Sequence, residues 1–302
     1  MPALERQHSA AHSLDVVRLT PLMALTRGRP DIMIGLVDGP VDITHPDLVR
    51  ESIHELPGTS GARCADKSSA ACAHGTFVAG MLCAKRGGTA AAICPDCTLV
   101  LRPIFSDAAN ANAAMPSATP DELAAAVVDC VDAGVGVLNL SSALTHTSSR
   151  SERRLEDALD YAMQREVIVV AAAGNQGNMG SSIITRHHAV IPVTASEIQG
   201  RPLGYANLGH SIGRRGLSAP GQGVAGLAPQ GKTIISGGTS VAAPFVSGTV
   251  ALIWSRFPAA TAFQIKLAIM RAHARRRPSV VPPLLDAWVS YRTAASLLEE
   301  AS

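Results

Sequence analysis

The stretch SGGTSVAAPFVSGTVALIW, residues 236–254, sets one hydroxyl, Ser240, between two glycines and a long apolar run. Gly-Gly-Thr-Ser reads as a turn in which Thr239 or Ser240 caps the helix that follows. The same placement suits a nucleophile, because the free N–H groups and positive dipole end of a helix N-terminus stabilise developing negative charge. Pro244 is expected in the first turn of that helix, where its missing N–H costs nothing. A serine nucleophile needs a base, a group that orients the base, and donors for the oxyanion. Asp38 follows the apolar run IGLV, where a turn aspartate before Gly39 and Pro40 is also common. His74 is expected to open a helix in AHGTFVAG, where a half-buried histidine without chemistry is the plainer reading. Asn175, in AAAGNQGN, is either a turn residue or a side-chain amide donor to an oxyanion. Serine, histidine and aspartate together are the nucleophile, general base and orienting carboxylate of acyl transfer.

Those four residues stand at the ends of expected elements. DIMIGLVD (31–38), TLVLRPIF (98–105), VGVLNLSS (135–142), VIVVAAAGN (167–175) and HHAVIPVTAS (187–196) are short apolar runs that read as buried strands. Helices are expected over 74–88, over 119–134 with Thr119 as cap and Gly134 as stop, over 148–166, after Ser240, and over 259–274. Strand and helix alternate at α/β length, so the expected fold is α/β: a doubly wound, mostly parallel sheet with helices on both faces. Ligands of such sheets collect beyond the carboxyl ends of the strands. No internal repeat or linker divides the chain, and one domain over 1–302, with an N-terminal extension over 1–30, is expected.

Five blocks in order, IGLVDGPVDITHPDL, HGTFVAG, NLSSA, AAAGNQG and GGTSVAAPFVSG, resemble the signature blocks of the subtilisin-like serine proteases, the subtilases. The resemblance runs from Asp31 to about Phe257. It implies the subtilisin-like three-layer fold and a serine endopeptidase with Asp38, His74 and Ser240 as catalytic residues. Asn175 and the backbone N–H of Ser240 are then the oxyanion donors. It also implies that Ser141, Ser142, Ala143 and Gly174 bind substrate, with LSSAL pairing with an extended peptide by strand addition. Ser142, Ala143 and Leu144 stand where the family carries a glycine-rich wall, which narrows the primary specificity pocket. Arg186, His187 and His188 fall where subtilases build the floor of that pocket. A basic floor selects an acidic residue, and surface solvation explains these side chains equally well.

A narrower likeness rests on DGPVDITHPDL and on CTLVLRPIFSDAANAN. These stretches are similar to the cyanobactin-maturation proteases of the patellamide type, which act on ribosomally made precursor peptides. Capture of the acyl-enzyme by a peptide amine, giving a macrocycle, is the alternative reaction. The related macrocyclases carry an extra helical insertion near the histidine, and the spacing from His74 to Phe105 leaves little room for one. Hydrolysis is therefore expected. A pseudoprotease that only binds peptides is a third reading, opposed by the intact Asp38, His74, Asn175 and Ser240.

Composition narrows the partners. Of 302 residues, 17% are charged and the net charge is +2, so no basic face for nucleic acid is expected. Arg275, Arg276 and Arg277 most simply form a solvated helix C-terminus. No run reaches the roughly 18 apolar residues of a membrane span, and the N-terminus lacks a signal-type apolar core. Only 37 residues precede Asp38, too few for an inhibitory folding domain, and a cytoplasmic location is expected. The expected partner is a peptide or precursor peptide, and no oligomer is specified. No cofactor or metal is expected: Asp47 matches one calcium-ligand position of secreted subtilisins, Asp96 is the only carboxylate in AKRGGTAAAICPDC, and calcium takes six or more oxygens. Of six cysteines, Cys83 and Cys130 read as core residues. Cys64, Cys72, Cys94 and Cys97 lie in loop-like sequence and are open to three states: thiols, disulfides or a zinc site. If they crosslink, the two pairs are expected to tie the His74 helix to the strand after it.

Overall fold

The computed structural model describes residues 11–56, 64–105, 118–141, 149–273 and 279–299. Ser142, Ala143, Leu144, Arg275, Arg276, Arg277 and residues 106–117 lie outside the described residues. In chain order the elements are α1 (Leu19–Leu25), β1 (Met33–Asp38), β2 (Ile53–Glu55), α2 (Ala70–Cys83), β3 (Thr98–Pro103), α3 (Pro120–Asp132), β4 (Val137–Leu140), α4 (Ser149–Gln164) and β5 (Ile168–Ala172). They continue as α5 (Ile183–Arg186), β6 (Val190–Ser196), α6 (His210–Arg215), β7 (Leu217–Pro220), β8 (Val224–Ala228), β9 (Lys232–Ser236), α7 (Thr239–Arg256), α8 (Ala262–Ala272) and α9 (Ala287–Glu299).

Seven strands form one sheet in the order β2-β3-β1-β4-β5-β6-β7, and all its pairings are parallel. β8 and β9 form a separate antiparallel pair. Successive side chains of a strand face opposite sides, and β1 shows the result. Ile34 and Leu36 enter one core with residues of α2 and α7, while Val37 enters the other with residues of α3 and α4. A sheet buried on both faces needs near-continuous apolar strands, which is what the sequence supplies. Every residue of α7 from Thr239 to Ile253 is buried, so this helix runs through the interior and has no polar face.

Two local expectations change. α2 begins at Ala70, capped by Ser69, whose hydroxyl accepts from the Cys72 N–H, so His74 sits inside the helix rather than opening it. Pro244 is the sixth residue of α7, beyond the first turn. Lacking an N–H, it offers no helical hydrogen bond to the Ser240 carbonyl one turn back. α3 follows expectation: Thr119 and Glu122 form a reciprocal capping box and Pro120 is the first helical residue.

The cysteines also depart from the expected crosslink. Cys64 and Cys72 are bonded to each other, with their Cα atoms 5.4 Å apart, and Cys83, Cys94, Cys97 and Cys130 are buried thiols. The bridge closes a short loop onto the first turn of α2 and does not reach β3. Cys94 and Cys97 instead pack beneath α2, where the Cys94 N–H donates to the Leu82 carbonyl at 2.8 Å. No helix among the described residues is long and apolar enough to cross a membrane.

Candidate active site

The carboxyl ends of β1, β4 and β5 carry Asp38, Ser141 and Asn175, and α2 and α7 bring His74 and Ser240 to them. α2 rests directly on the turn after β1. A side chain at Gly75 would lie 2.3 Å from the Gly39 carbonyl oxygen, so only glycine permits this contact. The next residue, Thr76, accepts the Asp42 N–H through its hydroxyl at 2.9 Å. Asp42 then anchors the same turn outward. Its carboxylate accepts from the Thr44 hydroxyl at 2.6 Å and the Gln230 N–H at 2.9 Å, and pairs with Lys67 at 3.0 Å. Burial pushes the Asp42 pKa up, and these donors outweigh it and bring it down to about 2. Asp42 stands in the DGPVDITHPDL block, where its spacing alone does not mark it as an anchor.

This scaffold makes a continuous hydrogen-bonded line. His74 Nδ1 donates to Asp38 Oδ1 at 2.6 Å, and His74 Nε2 lies 2.8 Å from Ser240 Oγ. Asp38 Oδ1 also accepts the Gly39 N–H at 2.6 Å. Asp38 is wholly buried, and His74 and Ser240 nearly so. With its proton on Nδ1, the ring presents the Nε2 lone pair to the serine hydroxyl, the arrangement a general base requires. Burial lowers the His74 pKa, and the charge and hydrogen bond of Asp38 more than reverse this, so the ring is more basic than an ordinary histidine.

Asn175 joins the group from β5. Its Oδ1 accepts the Thr239 N–H at 2.9 Å, and Gly174 N–H donates to the Thr239 hydroxyl at 3.1 Å. These bonds fix the amide so that Nδ2 is the free donor, lying over Gly238. Gly238 has φ +118°, and a side chain there would meet Asn175 Nδ2 at 3.0 Å. The outcome is a serine hydroxyl, an oriented imidazole and a free amide N–H gathered at the N-terminus of α7.

The model of the subtilase family matches residues 29–286, most of the chain. The chain belongs to the subtilase family. Fervidolysin of Fervidobacterium pennivorans is 29% identical over 289 residues, covering 84% of this chain and 39% of fervidolysin's own length. Among solved structures, a mutant of the protease domain of PatA is 27% identical with a TM-score of 0.76, covering 91% of this chain and 98% of that one. The prenylagaramide maturation protease PagA is 25% identical with a TM-score of 0.77, with the same coverage of the two chains.

Of the four residues expected to bind substrate, Ser141 and Gly174 lie among the described residues. Ser141 is buried; its hydroxyl accepts from Asn139 Nδ2 at 2.8 Å, and Asn139 Oδ1 accepts from Ser247 of α7 at 2.7 Å. Gly174 lines a cavity of about 540 Å³ with Met179, Ser182, Thr185 and Ile212. None of the described residues around it is charged. The basic floor is therefore absent from this cavity. Arg186 turns to Glu156 at 3.4 Å, and His187 to Asp160 at 3.3 Å, so these side chains pair with the carboxylates of α4.

Asp160, His187 and His188 place possible metal-ligand atoms within 4.8 Å of one another. The Ala189 N–H donates to His187 Nδ1 at 3.3 Å, so the ring proton is on Nε2, the atom facing Asp160. A metal on Nε2 would displace that proton onto an atom already facing an N–H, so the ring is set for Asp160 and not for a cation. Asp96 pairs with Arg27 at 3.0 Å, and the Asp47 carbonyl accepts the Lys85 N–H at 2.7 Å.

Proposed function

We propose that this subtilase is a serine endopeptidase of the cytoplasm, acting through an acyl-enzyme on Ser240 and processing a ribosomally made precursor peptide. One observation carries the reading: the unbroken line from Asp38 through His74 to Ser240, at 2.6 and 2.8 Å. His74 takes the Ser240 proton as Oγ adds to the scissile carbonyl. Asn175 Nδ2 and the Ser240 N–H receive the charge on the carbonyl oxygen. His74 then gives the proton to the leaving amine and the C–N bond breaks. In the second half His74 takes a proton from water as the water oxygen adds to the acyl carbon, and returns it to Ser240 Oγ as the C–Oγ bond breaks. Ser141 and Gly174 line the bound peptide.

The precursor-processing part draws on the solved neighbours, among them a prenylagaramide maturation protease. Hydrolysis is favoured over ring closure because residues 84–97, between α2 and β3, contain no inserted helix. A fluorophosphonate probe is expected to label wild-type protein at Ser240 and to leave Ser240→Ala unlabelled. Mass spectrometry of a digested peptide library is expected to return linear products with free carboxyl termini. An unlabelled wild-type protein would make it a peptide binder, and cyclic products would make it a transpeptidase.

A further inference from the structure

A second cavity, of about 490 Å³, lies at the opposite end of the sheet from Ser240. Its lining includes Val167, just before β5, and Ala189, just before β6, whereas Asn175 follows the other end of β5. At about 3.3 Å per residue, β5 alone separates the two places by roughly 15 Å. The walls are Met163, Phe263, Leu267 and Met270. Met163 and Phe263 are 41% and 70% exposed, an unfavourable state for large apolar side chains, and both line this cavity.

Among the described residues that line it, the basic side chains are Lys266 and His188. Lys266 lines the cavity, and its Nζ donates to the carbonyls of His188 and Ala189 at 2.9 and 2.7 Å. Those bonds leave one ammonium hydrogen uncommitted. Among the described residues no carboxylate is in ion-pair contact with Lys266, and Glu166, which also lines the cavity, is exposed and unpaired with it. Burial, with repulsion from Arg215 second, brings the Lys266 pKa down to about 8, as expected for a positive charge without a counter-ion.

We propose that this cavity binds an unbranched aliphatic carboxylate, its head group on Lys266 and its chain against Phe263, Leu267 and the two methionines. The charge asks for an anion, and the walls ask for hydrocarbon. Flexible methionines adapt to a chain of no fixed shape. A peptide segment fits less well, because its backbone amides would need hydrogen-bond partners that these walls do not supply. The site is separate from the cleft and does not rest on the protease reading.

Calorimetry and methyl NMR with sodium dodecanoate, below its micelle concentration, test the proposal on the full chain. Saturable one-to-one binding is expected, with dodecanol weaker by roughly tenfold or more, the effect of losing a charge-assisted hydrogen bond. Lys266→Met is expected to weaken dodecanoate by a similar factor while Lys266→Arg retains it. Phe263→Ala, at an exposed position that does not threaten folding, is expected to weaken it several-fold. The site is refuted by no saturable binding, by equal affinity for dodecanol, or by unchanged affinity in Phe263→Ala. A short peptide ending in a free leucine that binds as tightly as dodecanoate overturns the assignment to an aliphatic acid.

Discussion

Two histidines in this chain each face an aspartate, and they are driven in opposite directions. His74 meets Asp38 at 2.6 Å, and its pKa rises; His187 meets Asp160 at 3.3 Å, and its pKa falls. Burial pushes both rings down. At His74 the counter-charge is itself wholly buried, so its field is little screened and it wins. At His187 the Asp160 side chain is 46% exposed, water screens it, and the stacked His188 adds repulsion. The proton positions differ too. Asp38 holds the His74 proton on Nδ1 and frees Nε2 for Ser240, while the Ala189 N–H holds the His187 proton on Nε2. The same two residue types thus make a ring with Nε2 turned to a serine hydroxyl in one place and a tie to a half-exposed carboxylate in the other. The burial of the carboxylate and the atom carrying the proton decide which.

The sharpest way to break the contrast is to remove each ring. Ser240→Ala and His74→Ala are each expected to lower kcat by about 10⁶, a magnitude that belongs to subtilisin itself, the type member of this family. His187→Gln is expected to leave kcat on a peptide unchanged. A His187→Gln loss approaching that of His74→Ala would undo the distinction. Removing the carboxylate charge is the next test. Asp38→Asn, which favours the wrong tautomer, is expected to cost about 10⁴ in kcat, again by precedent from serine proteases. Asp160→Asn is expected to leave turnover untouched and to shift only the His187 titration.

Asn175→Ala separates the charge on the ring from the charge on the substrate. A loss of about 10²–10³ in kcat with little change in KM is expected, the size known for the subtilisin amide donor. An equal rise in KM instead would mean that Asn175 binds ground-state peptide. A smaller effect comes from pH. Ring-proton NMR is expected to place the His74 inflection above 6.5 and the His187 inflection below it, and kcat/KM should fall as pH drops through the His74 value, because the base must be neutral. The linked stabilities run oppositely. The raised His74 pKa contributes stability below pH 6.5 that is lost as pH rises through its folded value, and the depressed His187 pKa contributes stability that is lost as pH falls from 6.5 through its folded value. Inflections on the same side of 6.5 would contradict the comparison.

The strands and the four site residues could be read early because apolar runs ending in acid, glycine or proline carry strong local signals. Asp38, His74, Asn175 and Ser240 converge as the motif order implied. Helix boundaries were weaker where composition is uniform. AACAHGTFVAG is small and apolar throughout, so nothing in its periodicity distinguishes a start at Ser69 from one at His74. Pro244 misled for a related reason: a helix buried all round has enough tertiary packing to carry a proline past its first turn. The short strands β2, β7, β8 and β9 are not among those the sequence announces, β9 because its burial does not follow the apolar pattern. Cysteine spacing cannot specify pairing, and the partner of Cys72 depended on how the loop before α2 closes. The direction of Arg186 and His187 depended on α4, some 30 positions earlier, which no local motif encodes.

The parallel sheet described above has a consequence for how the chain reaches its active form. None of its seven strands is joined to a neighbour by a hairpin, and β1 pairs with β3 and β4 at sequence separations of 65 and 103 positions. The bond between His74 and Ser240 closes a loop of 166 positions. Contacts so distant along the chain are slow to nucleate, because loop entropy is lost before any contact returns it. Hydrolytic competence should therefore emerge late in refolding, after helical dichroism has largely recovered, and an amino-terminal fragment ending before β9 should be inert whatever secondary structure it holds.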